Sequence, residues 1–404
     1  MSFQVAISGL RAAQSDLNVI ANNIANSSTT GFKKSRAEFA DVFAVTDLGA
    51  GSNTPGSGVR LASISQQFTQ GNITFTDNNL DMAISGSGFF ILDDNGSRVY
   101  SRAGAFGLDR DGFISNSEGK QLIAFTADAS GNITGQASPI QLNTSNIPPQ
   151  ATTNMDVNLN LDASEVPPAI AIFDPANPSS YNNSTSGTIY DSLGNSHLIS
   201  FYYIKTANPN EWESYTYVDG TQVDGPDTLQ FDSLGVLTAP AAGTLTIPGF
   251  SASGGGAPIN MTLDYSATSQ YGSPFSVFTL PQDGFATGRL SGLDIDKNGI
   301  IFARFTNGQS RVEGQVALAD FPNPQGLQPL SDTTWGDTFS SGPVAVSAPG
   351  TSSLGLLQSG ALEDSNVELS AELVKMIIAQ RAYQANAEVI STNDAITQTI
   401  INLR

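Results

Sequence analysis

"SNVELSAELVKMIIAQRAYQANAEVISTNDAITQTIINLR", residues 365–404, contains neither Pro nor Gly. Ser365 and Glu368 have the S-x-x-E spacing of a capping box, in which each side chain satisfies a backbone N–H left open at a helix start. From there Leu369, Leu373, Met376, Gln380, Tyr383, Ala387 and Ile390 recur in sevens, and Ile396, Ile400 and Leu403 carry the apolar face onward after a small phase change. A helix over this stretch spans about 55 Å at 1.5 Å per residue. That is longer than a compact domain usually holds, and the heptad stripe suits a coiled-coil seam.

The opposite end carries a matching signal. From "MSFQVAISGLRAAQSDLNVIAN" onward, Phe3, Ile7, Leu10, Leu17 and Ile24, with Gln14 and Ala21 filling the gaps, step by threes and fours along one face of a helix of about 22 residues. Gly9 lies inside it, where a close backbone neighbour would explain a residue that costs about 1 kcal/mol relative to Ala. The helix then breaks into "NNIANSSTTGFKKSR", residues 22–36. Asn22, Asn23 and Asn26 compete for helical hydrogen bonds, Gly31 can take a positive φ to end the helix, and Phe32 is the next apolar anchor. This stretch reads as a joint. The basic trio Lys33, Lys34 and Arg36 lacks the interleaved aromatics of a nucleic-acid surface.

Between the two helices the texture is β. Residues 85–125 and 288–321 alternate short apolar runs with Asn-Gly, Asp-Gly and Glu-Gly turns. Residues 148–283 form a separate acidic block with its own Trp212, Tyr202, Tyr203, Tyr215 and Tyr217, and Lys205 as its only Lys or Arg. Two low-complexity stretches, 47–58 and 340–353, read as linkers. The fold class expected is multidomain α+β, with terminal helices forming a coiled-coil layer and two or more mainly-β domains nested between them. The expected division is 1–30 with 362–404 as a helical layer, 31–70 with 345–361 as joints, 71–147 with 284–344 as a discontinuous β core, and 148–283 as an inserted outer domain.

The 404 residues carry 37 acidic and 17 basic side chains, for a formal charge of -20. That sign argues against a nucleic-acid partner and against adsorption to anionic lipid. The absence of Cys removes disulfides and thiol chemistry. No run approaches the roughly 18 apolar residues of a membrane span, and the N-terminus does not read as a cleavable secretory signal. Asp294-x-Asp296-x-Asn298-Gly299 resembles half of a calcium loop, but Phe305 stands where a bidentate Glu is needed, so a hairpin turn is expected. His197 is read as a surface residue beside a turn. No enzyme activity, metal or cofactor is expected.

Two stripes at the chain ends and a β body with its own core leave two arrangements. The stripes close on each other in an intramolecular stalk, or they pack between subunits and make assembly the function. The residues that weigh toward the second are "AISGLRAAQSDLNVIANNIANSSTTGFKKSRAEFADVF" at the N-terminus, "GALEDSNVELSAELVKMIIAQRAYQANAEVISTNDAITQTIINLR" at the C-terminus, and "DMAISGSGFFIL" (81–92). They resemble the signatures of the bacterial flagellar rod and hook protein family, in which a large central block such as 148–283 marks the hook members. The resemblance implies a self-assembling, flexible tube outside the cell, a universal joint between rod and filament that encloses an export channel. It also implies export through the flagellar type III apparatus without signal cleavage, and contacts with rod, hook-cap and hook–filament junction proteins. The seam would be Phe3, Ile7, Leu10, Leu17, Ile24, Leu369, Leu373, Met376, Tyr383, Ile390, Ile400 and Leu403. A distal rod protein, a β-rich surface adhesin and a secreted carbohydrate-active enzyme are the alternatives.

Overall fold

One loop chemistry recurs through the β body. At Asp109, Asn116, Asp128, Asp191, Asp232 and Asp296 the side-chain Oδ1 accepts from the backbone N–H two and four residues on. The third residue after each is a Gly with φ between 79° and 87°. A type I turn closed by a left-handed residue needs both features: an Asx side chain to organise the turn and a residue without Cβ to leave it. The repeated Asp-Ser-Leu-Gly at 191 and 232 is this turn used twice. So is the segment resembling a calcium loop, in which Asp296 organises the hairpin and Asp294 pairs with Arg304.

The computed structural model describes residues 2–42, 56–128, 130–251 and 254–402. It is mostly β, with one long helix at each end: α1 (Ser2–Ala25) and α2 (Leu369–Asn402). The chain divides into two units, one of Met1–Thr144, Gly292–Arg304 and Ser310–Arg404, the other of Ser145–Ser291 with Phe305–Gln309.

In the first unit, strands distant in sequence meet in one sheet. Gln121–Ala127 pairs with Phe89–Asp94 on one side and with Ser310–Val316 on the other. Phe89, Phe90, Ile91 and Leu92 are all buried, with Phe90 and Leu92 packing among Met82, Ile84, Leu122 and Val316, and Phe89 and Ile91 among Tyr100, Phe321 and Trp335. A continuous apolar run is what a strand covered on both faces requires. The second low-complexity stretch, 340–353, contains a paired strand, and another follows just beyond it. Ala345–Ser347 pairs with Leu318–Asp320, and Leu356–Ser359 pairs with Met82–Ser85.

The second unit contains a five-stranded antiparallel meander from Asn183 to Ala239. Its strands alternate. Phe201, Tyr203, Trp212 and Leu229 point into a closed core with Met155, Val157, Leu161, Met261 and Leu263. Tyr202, Tyr215 and Tyr217 take the opposite face, where Phe173 packs over them with its ring centroid 4.4 Å from that of Tyr215.

His197 is not a surface residue. It shares the inward register of Ile199 and Phe201 and is buried between two carboxylates, with Nδ1 2.7 Å from Asp219 Oδ2 and Nε2 3.6 Å from Asp191 Oδ2. The hydrogen bond to His197 holds Asp219 below the usual carboxylate range. Polar partners on neighbouring turns let a buried position accept an imidazole, and adjacent sequence does not reveal them.

Candidate assembly surface and the joint at its base

α1 and α2 pack antiparallel. Asn23 near the end of α1 donates from Nδ2 to Glu372 Oε2 at 3.2 Å, in the first turn of α2. Gly9 lies against Asn386, and a Cβ at residue 9 would stand 2.6 Å from Asn386 Oδ1. The close neighbour expected of Gly9 is therefore a side chain of the partner helix. Ala6, Ala13, Val19, Ile20 and Asn23 are the buried residues of α1, and small side chains at 6, 9 and 13 let the axes approach.

This changes both stripes. Phe3 is exposed, while Ile7, Leu10, Leu17 and Ile24 are only half-buried, because they lie beside the face that small residues bring against α2. On α2, Glu372 and Ala379 are buried, and Met376, Tyr383, Asn386, Ile390 and Asn393 are half-buried along the same side. Three of the expected seam residues, Met376, Tyr383 and Ile390, belong to that side. Leu369 and Leu373 are 47% and 45% exposed, and Ile400 is 64% exposed. Leu403 lies outside the described residues.

α2 has a second apolar face. Val374, Ile378, Val389 and Ile396 are each 47–61% exposed and, with Ala385, step by fours and sevens along the side away from α1. The helix is apolar around most of its circumference, and one neighbour covers only part of it. Large side chains dominate the apolar periodicity of both helices, so the sequence pattern shows neither the small-residue contact of α1 nor two separate faces on α2.

The capping box also takes another form. Helical hydrogen bonding starts with Glu372 N donating to Glu368 O at 3.0 Å, which makes Glu368 the cap residue itself. Its carboxylate accepts from Ser370 Oγ, and Ser365 Oγ accepts from Val367 N at 3.4 Å. The reciprocal bonds of a box are not made between Ser365 and Glu368 among the described residues, because the helix begins three residues later than the motif places it.

At the joint, α1 ends at Ala25, and Asn26 turns back to Asn22 through both backbone and side chain. Asn22 is exposed, and Asn26 and Phe32 are half-buried. Gly31 does have positive φ, 69°, but it stands six residues beyond the helix. It is needed there because the chain crosses the backbone of Arg102 and Ala103, where a Cβ would lie 2.4 Å from Ala103 N. Asn23 Oδ1 accepts from Ser35 N at 2.9 Å and its Nδ2 donates to Ser35 O at 2.8 Å, imitating a strand partner for the chain leaving the joint.

Beneath this lies a buried charge cluster. Lys33 Nζ donates to Glu363 Oε1 at 2.6 Å and to Thr69 O at 2.8 Å. Arg102 donates to Glu363 Oε2 at 3.0 Å and to Gly86 O at 2.7 Å. The side chains of Lys33 and Glu363 have no solvent exposure, and that of Arg102 has 5%. Burial pulls both cations below their usual pKa range, against the opposing pull of Glu363. Asn366 adds a second tie, accepting from Lys34 N at 2.8 Å and donating to Gln67 O at 2.7 Å. Lys33 is therefore no part of a basic surface. Its partner is 330 residues away, so local sequence carried no sign of it.

The chain leaving the joint forms a two-stranded ribbon, β1 (Ser35–Asp41) and β2 (Val59–Gln66), which packs along α1. Val59 N donates to Ser8 Oγ at 3.1 Å. Between α1 and β2 runs a groove of about 330 Å³ lined by Ile7, Arg11, Ala12, Ser15, Arg60 and Leu61 among others. Part of the first expected linker, 47–58, falls outside the described residues; the strands flanking it are ordered pairs.

Family models match both ends of the chain and the stretch from 83 to 285. Residues 3–33 match the flagella basal body rod protein model and 358–403 the flagellar basal body rod FlgEFG protein C-terminal model. Residues 83–190 match the flagellar hook protein FlgE/F/G D1 domain, and 160–285 the flagellar basal body protein FlaE D2 domain. The chain is 39% identical to the flagellar hook protein FlgE of Escherichia coli strain K12 over 413 residues, covering all of both chains. It is 33% identical to the hook protein of Borreliella burgdorferi, covering 100% of this chain and 99% of that one. A crystal structure of Helicobacter pylori flagellar hook protein FlgE2 superposes with a TM-score of 0.53 at 14% identity, covering 72% of this chain and 100% of that one. That likeness concerns the fold.

Proposed function

The chain belongs to the flagellar hook protein family, and on that premise we propose how it builds a hook. It is a structural subunit of the bacterial flagellar hook, and its relatives are structural proteins, not enzymes. In our reading, copies polymerise through their terminal helices into the inner layer of a tube, a coiled-coil layer around the export channel, with the β units outside it. The tube bends as a universal joint and passes motor torque from rod to filament. Rod, hook-cap and hook–filament junction proteins contact its ends, and the subunit reaches the cell exterior through the flagellar type III apparatus without signal cleavage. The subunit has no catalytic centre, cofactor, nucleic-acid partner or membrane insertion in this reading.

The observation that carries it is the uncovered second face of α2. A helix apolar around most of its circumference is stable only when its apolar faces are covered, and α1 covers one of them. Neighbouring copies supply the rest. Ile378→Asp places a charge in that dry contact without a counter-ion, at a cost of several kcal/mol, and should abolish polymer while the monomer keeps its β circular dichroism. Thr221→Asp, at an exposed position of the second unit, should polymerise normally. Sedimentation of both variants decides it; wild-type polymer yield from Ile378→Asp rejects the helical layer.

A further inference from the structure

We infer that the groove between α1 and β2 is the seat for the outer face of α2 from a second copy, with Arg11 and Arg60 receiving its Glu388. The inference rests on the polymer reading above and adds which surfaces meet.

Three observations point to this occupant. First, in a chain with 37 acidic and 17 basic side chains, two exposed arginines line one groove, and neither has an ion-pair partner among the described residues. Ile7, Ala12 and Leu61 give the groove an apolar floor beside them. Second, the outer face of α2 has the complementary composition. Ala385, Val389, Thr392 and Ile396 surround Glu388, an exposed carboxylate also without an ion pair among the described residues. Third, the chain's own α2 cannot fill the groove, since it packs against α1 through Gly9 and Asn23 on the other side. The Gly9–Asn386 and Asn23–Glu372 contacts set the register, so Asp394–Asn402 extends past the start of α1 by about 13 Å. This overhang carries Ile396, Ile400 and Ile401, all more than half exposed, and it must find cover on another copy.

The chain contains no Cys, which allows a direct test by disulfide trapping. The full-length Arg60→Cys/Glu388→Cys variant should form an oxidised ladder of linked subunits in polymer, but not in dilute monomer, whereas Thr221→Cys/Glu388→Cys should form none. In parallel, Glu388→Arg and Arg11→Glu/Arg60→Glu should each raise the critical concentration for polymerisation about tenfold or more. The combined variant should return to within about threefold of wild type. Polymer that forms without the ladder, or a combined variant no better than its parents, overturns the inference and leaves the helical polymer intact. Failure of the wild-type chain to polymerise overturns both.

Discussion

Lys33 Nζ and Glu363 Oε1 are 2.6 Å apart with neither side chain open to solvent, joining the segment after the first helix to the segment before the last. Arg102 holds the other carboxylate oxygen, so one buried anion faces two cations. Burial of ions is costly and such a cluster is weak evidence of stability, but it makes docking of each end depend on the other.

The substitutions at this cluster are accordingly unequal. Lys33→Met leaves Glu363 paired with Arg102, whereas Glu363→Leu leaves two buried cations with no anion. Removal of one partner from a buried pair costs about 3–5 kcal/mol. Glu363→Leu should sit at or above the top of that range and Lys33→Met below it. Urea unfolding followed by tryptophan fluorescence, with Trp335 in this unit's core, measures both; equal losses would mean Arg102 does not share the anion.

Gly9 and Asn386 should show strong coupling. Ala at residue 9 gains about 1 kcal/mol of helix propensity, but its Cβ meets Asn386 Oδ1 at 2.6 Å. Gly9→Ala alone should be near neutral, because the Asn side chain can swing aside. Gly9→Ala with Asn386→Ala should stabilise more than the two single changes together, by roughly 0.5–1 kcal/mol in a double-mutant cycle. Additive behaviour would show that the helices do not touch there.

The second unit should grow more stable as pH falls from 7 toward 4, as far as Asp227 is concerned. Burial and then the neighbouring Asp224 raise its pKa from 3.8 to about 6. Between those values the native state binds the proton and the unfolded state releases it, so stability falls as pH rises through that window. Asp227→Asn should remove this slope and stabilise the unit at pH 7 by up to about 2 kcal/mol after solvent screening. Melting temperatures of the two proteins at pH 4.5 and 7 test the sign; an unchanged slope would reject it.

Residues 145–291 should fold when expressed alone. Their core of Trp212, Tyr203, Phe201 and Leu229 with Met155, Val157 and Leu263 closes within the unit. The entering and leaving segments are bridged at Ile147 with Gly288 and at Gln150 with Phe285, so the two ends emerge side by side. The fragment should unfold cooperatively, and the full chain lacking it should still polymerise. A molten fragment, or a deletion variant without polymer, would show that the unit is not separable.

Periodicity along the chain determined what local physics controls. Two long helices at the ends follow from uninterrupted 3.6-residue patterning, and the β body between them from short alternating runs punctuated by Asx and Gly turns. The absence of catalytic or thiol chemistry in that reading followed from residue types. Only the tertiary structure decided which face of each helix is covered, because Ala6, Gly9 and Ala13 gain their value from the nearness of α2 and not from their own hydrophobicity. The same holds for the buried charges. Lys33 and Glu363 look like surface residues until chain segments 330 residues apart place them together, and His197 looks exposed until the turns at Asp191 and Asp219 close over it. Hydrogen bonding and desolvation act through space, and their partners here are not neighbours in sequence.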